Sequence, residues 1–324
     1  MLRFLLRRLS LIPFALILVN FIAFSYAHLA LRYQQAQNPF GSDALENAPP
    51  ILALYADYAR GLLRGDFGMM PVGVTTTVGE VVAQATGASL GLLALVFLLS
   101  LLIGLTLGLG AVRINPARVS PWLLPATAVG LALPGFYLGV LMVVASVYYV
   151  LSLGPEAKPP LPVQGFGWDQ HLVLPALALL VRPTVQIAQV TASLLSDELG
   201  KQYVTAARSR GNTWRRARWC HAFRNVLAPV TLAIAGSVRL LVGELILVEW
   251  LFGWPGLGRF LTLALVPPRV ATVGGLTGAT VYFLHPPLVA ALLTMFTFVF
   301  LLVDIVASFA ARLADPRLQV TDFH

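Results

Sequence analysis

Residues 90–112 read LGLLALVFLLSLLIGLTLGLGAV, twenty-three consecutive positions without a formal charge. An α-helix rises about 1.5 Å per residue and the hydrocarbon core of a bilayer is about 30 Å thick, so about 20 apolar residues in helical form cross it. This run is long enough to do so, and it sets the terms on which the rest of the chain is read.

Working outward, the 324-residue chain is 58% hydrophobic and only 11% charged, with a mean hydropathy of +0.80. That is too apolar for one or two water-soluble domains and excludes an ordinary cytosolic enzyme. Five further uncharged or nearly uncharged runs extend from Leu9 to Leu31, Trp122 to Leu151, Leu172 to Leu195, Val226 to Leu251 and Leu288 to Ala311. The sequence therefore predicts an all-α membrane protein with six transmembrane helices. Val270 to Leu284 is shorter and contains Gly274, Gly275 and Gly278. It reads as a re-entrant or interfacial segment, because non-helical backbone at membrane depth needs protein or water around it.

A net charge of +8 would suggest nucleic acid or an anionic surface in a soluble protein; in a membrane chain it reports sidedness, and no nucleic-acid partner is expected. Arg3, Arg7 and Arg8 precede the first span, and Arg113 and Arg118 follow the second. Lys201, Arg208, Arg210, Arg215, Arg216, Arg218 and Arg224 separate the fourth from the fifth, and Arg312 and Arg317 follow the sixth. Because positive residues stay on the cytoplasmic side during insertion, both termini are expected there.

The start of the chain imitates a secretory signal, with a small-x-small triplet at Ser25-Tyr26-Ala27, but its apolar stretch is too long for a signal core and reads as a retained first helix. Three regions follow: the tail and first helix over 1–31, an extracytoplasmic region over 32–86, and a five-helix core over 87–324 with a cytoplasmic loop at 197–225. Within the second, Ile51 to Leu63 has the pattern of a short amphipathic helix. Pro155 to Gly167, with four prolines, reads as a rigid outer loop.

Little here suggests catalysis. Gly200-Lys201 is followed by Gln202 and lacks the upstream glycine of a phosphate-cradling loop, so any ATP hydrolysis belongs to partners. Gly87-Ala88-Ser89-Leu90-Gly91 fits a nucleophile-elbow pattern, but it opens an apolar helix instead of a strand-to-helix turn, and no histidine is positioned by the sequence to serve it. The single cysteine, Cys220, excludes an internal disulfide, and five unpaired histidines give no metal or cofactor site. Gly87 with Gly91, Gly104 with Gly108, and Gly274 with Gly278 are small-residue pairs that allow close helix approach, either within the bundle or at a dimer face. Arg182, Arg239, Glu244 and Asp304 lie inside spans, where a charge costs about 2.5–3.5 kcal/mol even on the lenient insertion scale. Each needs a partner: an internal ion pair or an aqueous solute path would serve.

The segment from Asp197 to Asn225 is the most informative. Val204, Ala207 and Gly211 form a small stripe at helical spacing, and six arginines follow from Arg208 to Arg224. Such a helix suits insertion into a groove on a soluble partner, while a solvated basic loop that anchors topology has the same composition.

At this segment the sequence resembles the inner-membrane permease subunit of ABC importers, in the dipeptide, oligopeptide and nickel branch. Tyr203-Val204-Thr205-Ala206-Ala207-Arg208-Ser209-Arg210-Gly211 is similar to that branch's "EAA" loop, and His221-Ala222-Phe223-Arg224-Asn225 and Pro229 follow at its spacing. Glu249, Phe252, Trp254-Pro255-Gly256 and Gly258 resemble its E-x-x-F-x-x-P-G-x-G signature, Gly65-Asp66-Phe67-Gly68 its outer-loop G-D-L-G, and Asp315-Pro316-Arg317 its terminal D-P-R. Departures fall at Gln189 and Ala192, where the family usually carries arginines, at Phe300, where it has asparagine, and at His285-Pro286.

The resemblance implies the ABC importer permease fold in the inner (plasma) membrane. It also implies ABC ATPase subunits docked on a coupling helix at Tyr203, Val204, Ala206, Ala207, Arg208 and Gly211, with His221, Arg224 and Asn225 behind it. A second homologous permease subunit, an extracytoplasmic solute-binding protein and membrane lipid complete the implied surroundings. Gly65, Asp66, Gly68, Glu249, Phe252, Pro255, Gly256 and Gly258 would shape the outer loops. The expected function is ATP-driven import of peptides or similar small solutes. The alternatives are a proton-coupled secondary transporter using Glu244, Glu249 or Asp304, and a membrane hydrolase using Ser89.

Overall fold

A computed structural model describes residues 2–36, 49–70, 76–154, 156–267 and 282–314. The helices are α1 (Leu2–Ala36), α2 (Ile51–Leu63), α3 (Val78–Gly110), α4 (Leu123–Ala132), α5 (Gly135–Leu153), α6 (Val173–Leu199), α7 (Gln202–Ser209), α8 (Trp214–Arg216), α9 (Phe223–Phe252), α10 (Leu257–Leu265) and α11 (Pro286–Ala314). A π-helical turn, Ala217–Ala222, joins α8 to α9, and strands β1 (Val112–Ile114) and β2 (Ala117–Val119) form an antiparallel hairpin. Among the described residues six helices are long and apolar enough to cross a membrane, the number read from the sequence. Helix α2 has the expected bounds. The terminal Asp315-Pro316-Arg317 and nearly all of the Val270 to Leu284 segment lie outside the described residues.

Two span boundaries differ from expectation. Helix α3 begins at Val78, inside the stretch assigned to the outer region. Thr77 Oγ1 accepts from the Glu80 N–H at 3.2 Å and Glu80 Oε2 accepts from the Thr77 N–H at 3.0 Å, a reciprocal capping box that satisfies two otherwise orphaned donors. Ser89 therefore sits well inside a helix and not at its opening. The run Trp122 to Leu151 is two helices, because Pro134 lacks an N–H and forces the residue before it away from helical angles; Leu133 has φ −92° and ψ 116°. The hairpin between α3 and α4 was not read from the sequence at all.

The chain divides into two compact units. One comprises Gly91–Phe252 and the chain from Leu302 onward. Its centre is α6, which packs along α9 and against α3, α4 and α5. A Cβ on Gly104 would stand 2.9 Å from the Thr184 carbonyl oxygen, and one on Gly108 would stand 2.7 Å from that of Ala188. This small-residue pair thus serves close packing of α3 on α6 within the chain, the first of its two readings. Gly139 likewise brings α5 against Leu251 and Phe252 of α9. The opposite face of α5 carries exposed Val144, Tyr148 and Leu151, the composition of a lipid-facing surface.

The other unit comprises Leu2–Leu90 and Gly253–Leu301. Phe21 and Phe24 of α1 meet Tyr55 of α2 edge to face, and Phe24 stacks on Tyr58. Buried Asn20 donates to Thr294 Oγ1 at 3.0 Å and accepts from the Tyr55 hydroxyl at 3.3 Å. Trp254, fully buried, donates its Nε1–H to the Ala88 carbonyl at 3.1 Å, which fixes the start of the α10 segment against α3.

Candidate functional site

Helix α7 is short and polar, with one buried edge. Val204 and Ala207, three residues apart and so on one face, are both buried, Val204 in a cluster with Ala111, Val112, Leu123, Ala188, Ala192, Leu195, Leu199, Ala217 and Ala222. This corrects the expectation that the small stripe is the face offered to a partner at two of its three residues: Val204 and Ala207 are buried, while Gly211 is exposed. The apolar surface behind α7 comes from α4, α6, the hairpin and the π-helical turn, elements spread from Ala111 to Ala222 in the chain. Gln202, Tyr203, Thr205, Ala206, Ser209 and Arg210 are exposed instead.

The end of α7 is closed by backbone. The Gly211 N–H donates to the Arg208 carbonyl at 2.9 Å and the Asn212 N–H to the Ala207 carbonyl at 3.2 Å, a Schellman pair that requires the left-handed conformation Gly211 adopts at φ +88°. No atom lies within 4 Å of where a Gly211 Cβ would be, so the need for glycine arises from backbone conformation and not from crowding in this chain. Arg208 donates to the Asn212 carbonyl and lies 4.7 Å above the Trp214 ring, which folds the connection back. Arg218 donates to the Leu109 carbonyl in the last turn of α3.

Behind α7 lies a polar cluster that the sequence reading did not single out. Glu198, in the last turn of α6 and only 8% exposed, accepts through Oε1 from the Tyr203 hydroxyl at 2.8 Å and from Asn225 Nδ2 at 3.0 Å. Its Oε2 pairs with Lys201. Asn225 Nδ2 also reaches the Tyr203 oxygen at 3.2 Å. Burial, and next the bond to the Glu198 carboxylate, push the Tyr203 phenol up to about 12, so it remains a donor at neutral pH. His221 lies half-buried in the π-helical turn and Arg224 is exposed. The structure thus brings Tyr203 and Asn225 together and leaves His221 and Arg224 outside their bonds.

The charges inside the spans form two pairs. Arg182 Nη1 of α6 donates to Glu244 Oε1 of α9 at 2.6 Å, and the Gly135 N–H at the start of α5 donates to Glu244 Oε2 at 3.1 Å. Arg239 of α9 pairs with Asp304 of α11. Of the two readings left open, internal ion pairing is the arrangement observed; five residues apart on α9, Arg239 and Glu244 point to different neighbours.

The remaining motifs lie in loops and caps. Asp66 Oδ1 accepts from the Gly68 N–H at 2.9 Å, an Asx turn that ends on Gly68 at φ +86° and follows Gly65 at φ +81°. Glu249 and Phe252 are buried at the end of α9, and Gly256 caps α10, in whose first turn Gly258 is buried. Ser89 Oγ, 1% exposed, accepts from the Leu257 N–H at 2.8 Å and caps α10. A side chain in mid-helix, buried and engaged with a backbone amide, has neither the strained turn nor the access of a nucleophile, which removes the hydrolase alternative.

Comparison with known proteins agrees with this architecture. The profile of the family described as "binding-protein-dependent transport system inner membrane component" matches residues 100–320, more than half the chain. The chain belongs to that family. It is therefore a multi-pass plasma-membrane permease subunit of an ABC importer, which disposes of the stand-alone proton-coupled transporter. The permease is 30% identical over 312 residues to a dipeptide transport system permease protein, DppB, of Escherichia coli K12, covering 82% of this chain and 88% of that one. It is 29% identical over 303 residues to an oligopeptide transport system permease protein, OppB, of Mycobacterium tuberculosis, covering 86% and 91%. A putative peptide transport system permease protein of Brucella abortus is 27% identical over 246 residues, 75% of this chain and 72% of that one.

Glu198 is the residue of the permease that sequence reasoning passed over. The available signal was electrostatic: Asp197-Glu198 falls in the last turn of a helix, where negative charge opposes the macrodipole and calls for nearby donors.

Proposed function

We propose that this permease forms the membrane pathway for peptides or similar small solutes together with a second homologous permease subunit. Separate ATPase subunits dock on α7 and an extracytoplasmic solute-binding protein delivers the cargo. Both termini and the α6–α9 connection face the cytoplasm, in keeping with the arginines gathered there. The observation that carries the reading is the geometry of α7. Val204 and Ala207 hold it on the bundle while Tyr203, Thr205, Ala206 and Arg210 stay exposed, so a partner that grips the exposed face moves the bundle behind it. Peptides are the cargo named for the relatives above, and they are extended to this permease on that ground.

In the cycle so proposed, nucleotide-driven closure of the ATPases shifts α7 as a rigid piece, and unequal binding to the two arrangements moves the bundle between inward- and outward-facing states. Asp66 with Gly65 and Gly68, and Pro255 with Gly256, shape the outer surface on which the binding protein sits. The test is to purify the tagged permease from its native host, identify what accompanies it, and assay labelled peptide uptake into vesicles with and without ATP. ATP-dependent uptake by a complex containing an ATPase and a second permease subunit is expected. Full uptake by the permease alone would overturn the proposal.

A further inference from the structure

We propose that Glu198 is a positioning residue for coupling: its carboxylate ties Tyr203 of α7 and Asn225 of α9 to the end of α6, so that displacement of α7 moves α6 and α9 as one body. The inference rests on the docking of ATPase subunits on α7 argued above.

Three features carry it. Glu198 is buried, yet it stands at the negative end of the α6 macrodipole, next to Asp197, where a carboxylate is disfavoured. Three groups offset this, the Tyr203 hydroxyl, Asn225 Nδ2 and the Lys201 ammonium, and a bond from Asn225 to the Tyr203 oxygen joins two of them. These partners are distributed over separate elements. Tyr203 belongs to the first turn of α7 and Asn225 to the first turn of α9, which begins only after the π-helical turn Ala217–Ala222.

The geometry also separates this cluster from simple packing. Val204, in the apolar cluster, and buried Ala207 already seat α7 on the bundle, which resists separation but allows sliding along the surface. Charge-assisted hydrogen bonds have fixed lengths and directions and resist sliding as well. Removing Glu198 therefore leaves α7 attached, through Val204 and the Asn225–Tyr203 bond, but no longer fixed to the end of α6.

The experiment uses the assembled transporter in vesicles, with its solute-binding protein purified together with whatever ligand it retains, so cargo identity does not enter. The readouts are basal ATP hydrolysis, its stimulation by the binding protein, and a cross-link from Ala206→Cys, made in a Cys220→Ser background, to the ATPase. For Glu198→Ala the cross-link and basal hydrolysis should persist while stimulation falls about tenfold, the factor expected of one charge-assisted hydrogen bond. Glu198→Gln keeps an acceptor oxygen for Tyr203 and Asn225 and should retain stimulation within about threefold. Tyr203→Phe keeps the ring and should lower it about fivefold, with no further loss in Glu198→Ala/Tyr203→Phe than in Glu198→Ala alone. Unchanged stimulation in Glu198→Ala, or simple additivity with Tyr203→Phe, would overturn the role of Glu198. If Glu198→Ala fails to accumulate, full stimulation in Tyr203→Phe overturns it equally. Absence of the cross-link in the otherwise native transporter would instead sink the docking of the ATPase on α7.

Discussion

Arg182 and Glu244, sixty-two positions apart, meet at 2.6 Å between α6 and α9, with the Gly135 N–H on the second carboxylate oxygen. A single unpaired charge among membrane-spanning helices is costly, so removing one partner should hurt more than removing both.

Glu244→Ala should therefore destabilise the permease in detergent by more than Arg182→Met/Glu244→Leu does, since the double change removes both charges. Loss of one partner of a buried pair costs about 3–5 kcal/mol. The value here should fall at the lower end, because the Arg182 side chain keeps 30% of its exposure. Thermal unfolding of the three proteins decides it; equal destabilisation by the single and double changes would show that the pair is not the stabilising contact.

Gly211 tests conformation against crowding. Its φ of +88° makes an ordinary L-residue cost about 1–2 kcal/mol, while open space surrounds the Cβ position. Gly211→Asn, which tolerates the left-handed region, should retain more ATPase stimulation than Gly211→Val, and both should insert normally. Equal stimulation in the two variants would count against the cap.

Gly108 and Gly87 offer a matched comparison on one helix. A Cβ at Gly108 meets the Ala188 carbonyl oxygen at 2.7 Å, whereas none meets anything within 4 Å at Gly87. Gly108→Ala should lower the melting temperature, by overpacking of about 1–3 kcal/mol, and Gly87→Ala should leave it unchanged or raise it. Melting curves in the same detergent give the answer.

Tyr203 sets a pH dependence. Its phenol is pushed up to about 12 from an ordinary value of 10.0. A native pKa above the unfolded one means that the group's contribution to stability is complete below pH 10 and is lost as the pH rises towards 12. Between those values the wild-type protein should lose stability more steeply than Tyr203→Phe. Parallel curves across that window would show that the phenol is not held by Glu198.

Much of this architecture was legible without coordinates. Six spans follow from run length because lipid leaves a helix no alternative partner for its backbone. Helix α2 follows from local periodicity. The Thr77/Glu80 capping box was equally available in the sequence, and reading it would have placed the start of α3 correctly; so was Pro134, which divides α4 from α5. Among the site residues, Tyr203 and Asn225 were found through motif resemblance, and Glu198 was not, because its importance arises from who stands around it.

The sequence by itself determined that the chain lives in a membrane, that six helices can cross it and where its positive residues gather, since these depend on the solvent each segment must satisfy. Tertiary structure decided which face of α7 is sealed and which is free, which arginine answers which carboxylate, and which glycines touch another helix. Those outcomes depend on residues far apart in the chain arriving at one place: Val204 is buried in one cluster with Ala111 and Leu123, and Arg182 of α6 is paired because Glu244 reaches it from α9. Composition fixes a residue's needs, and only packing fixes who meets them.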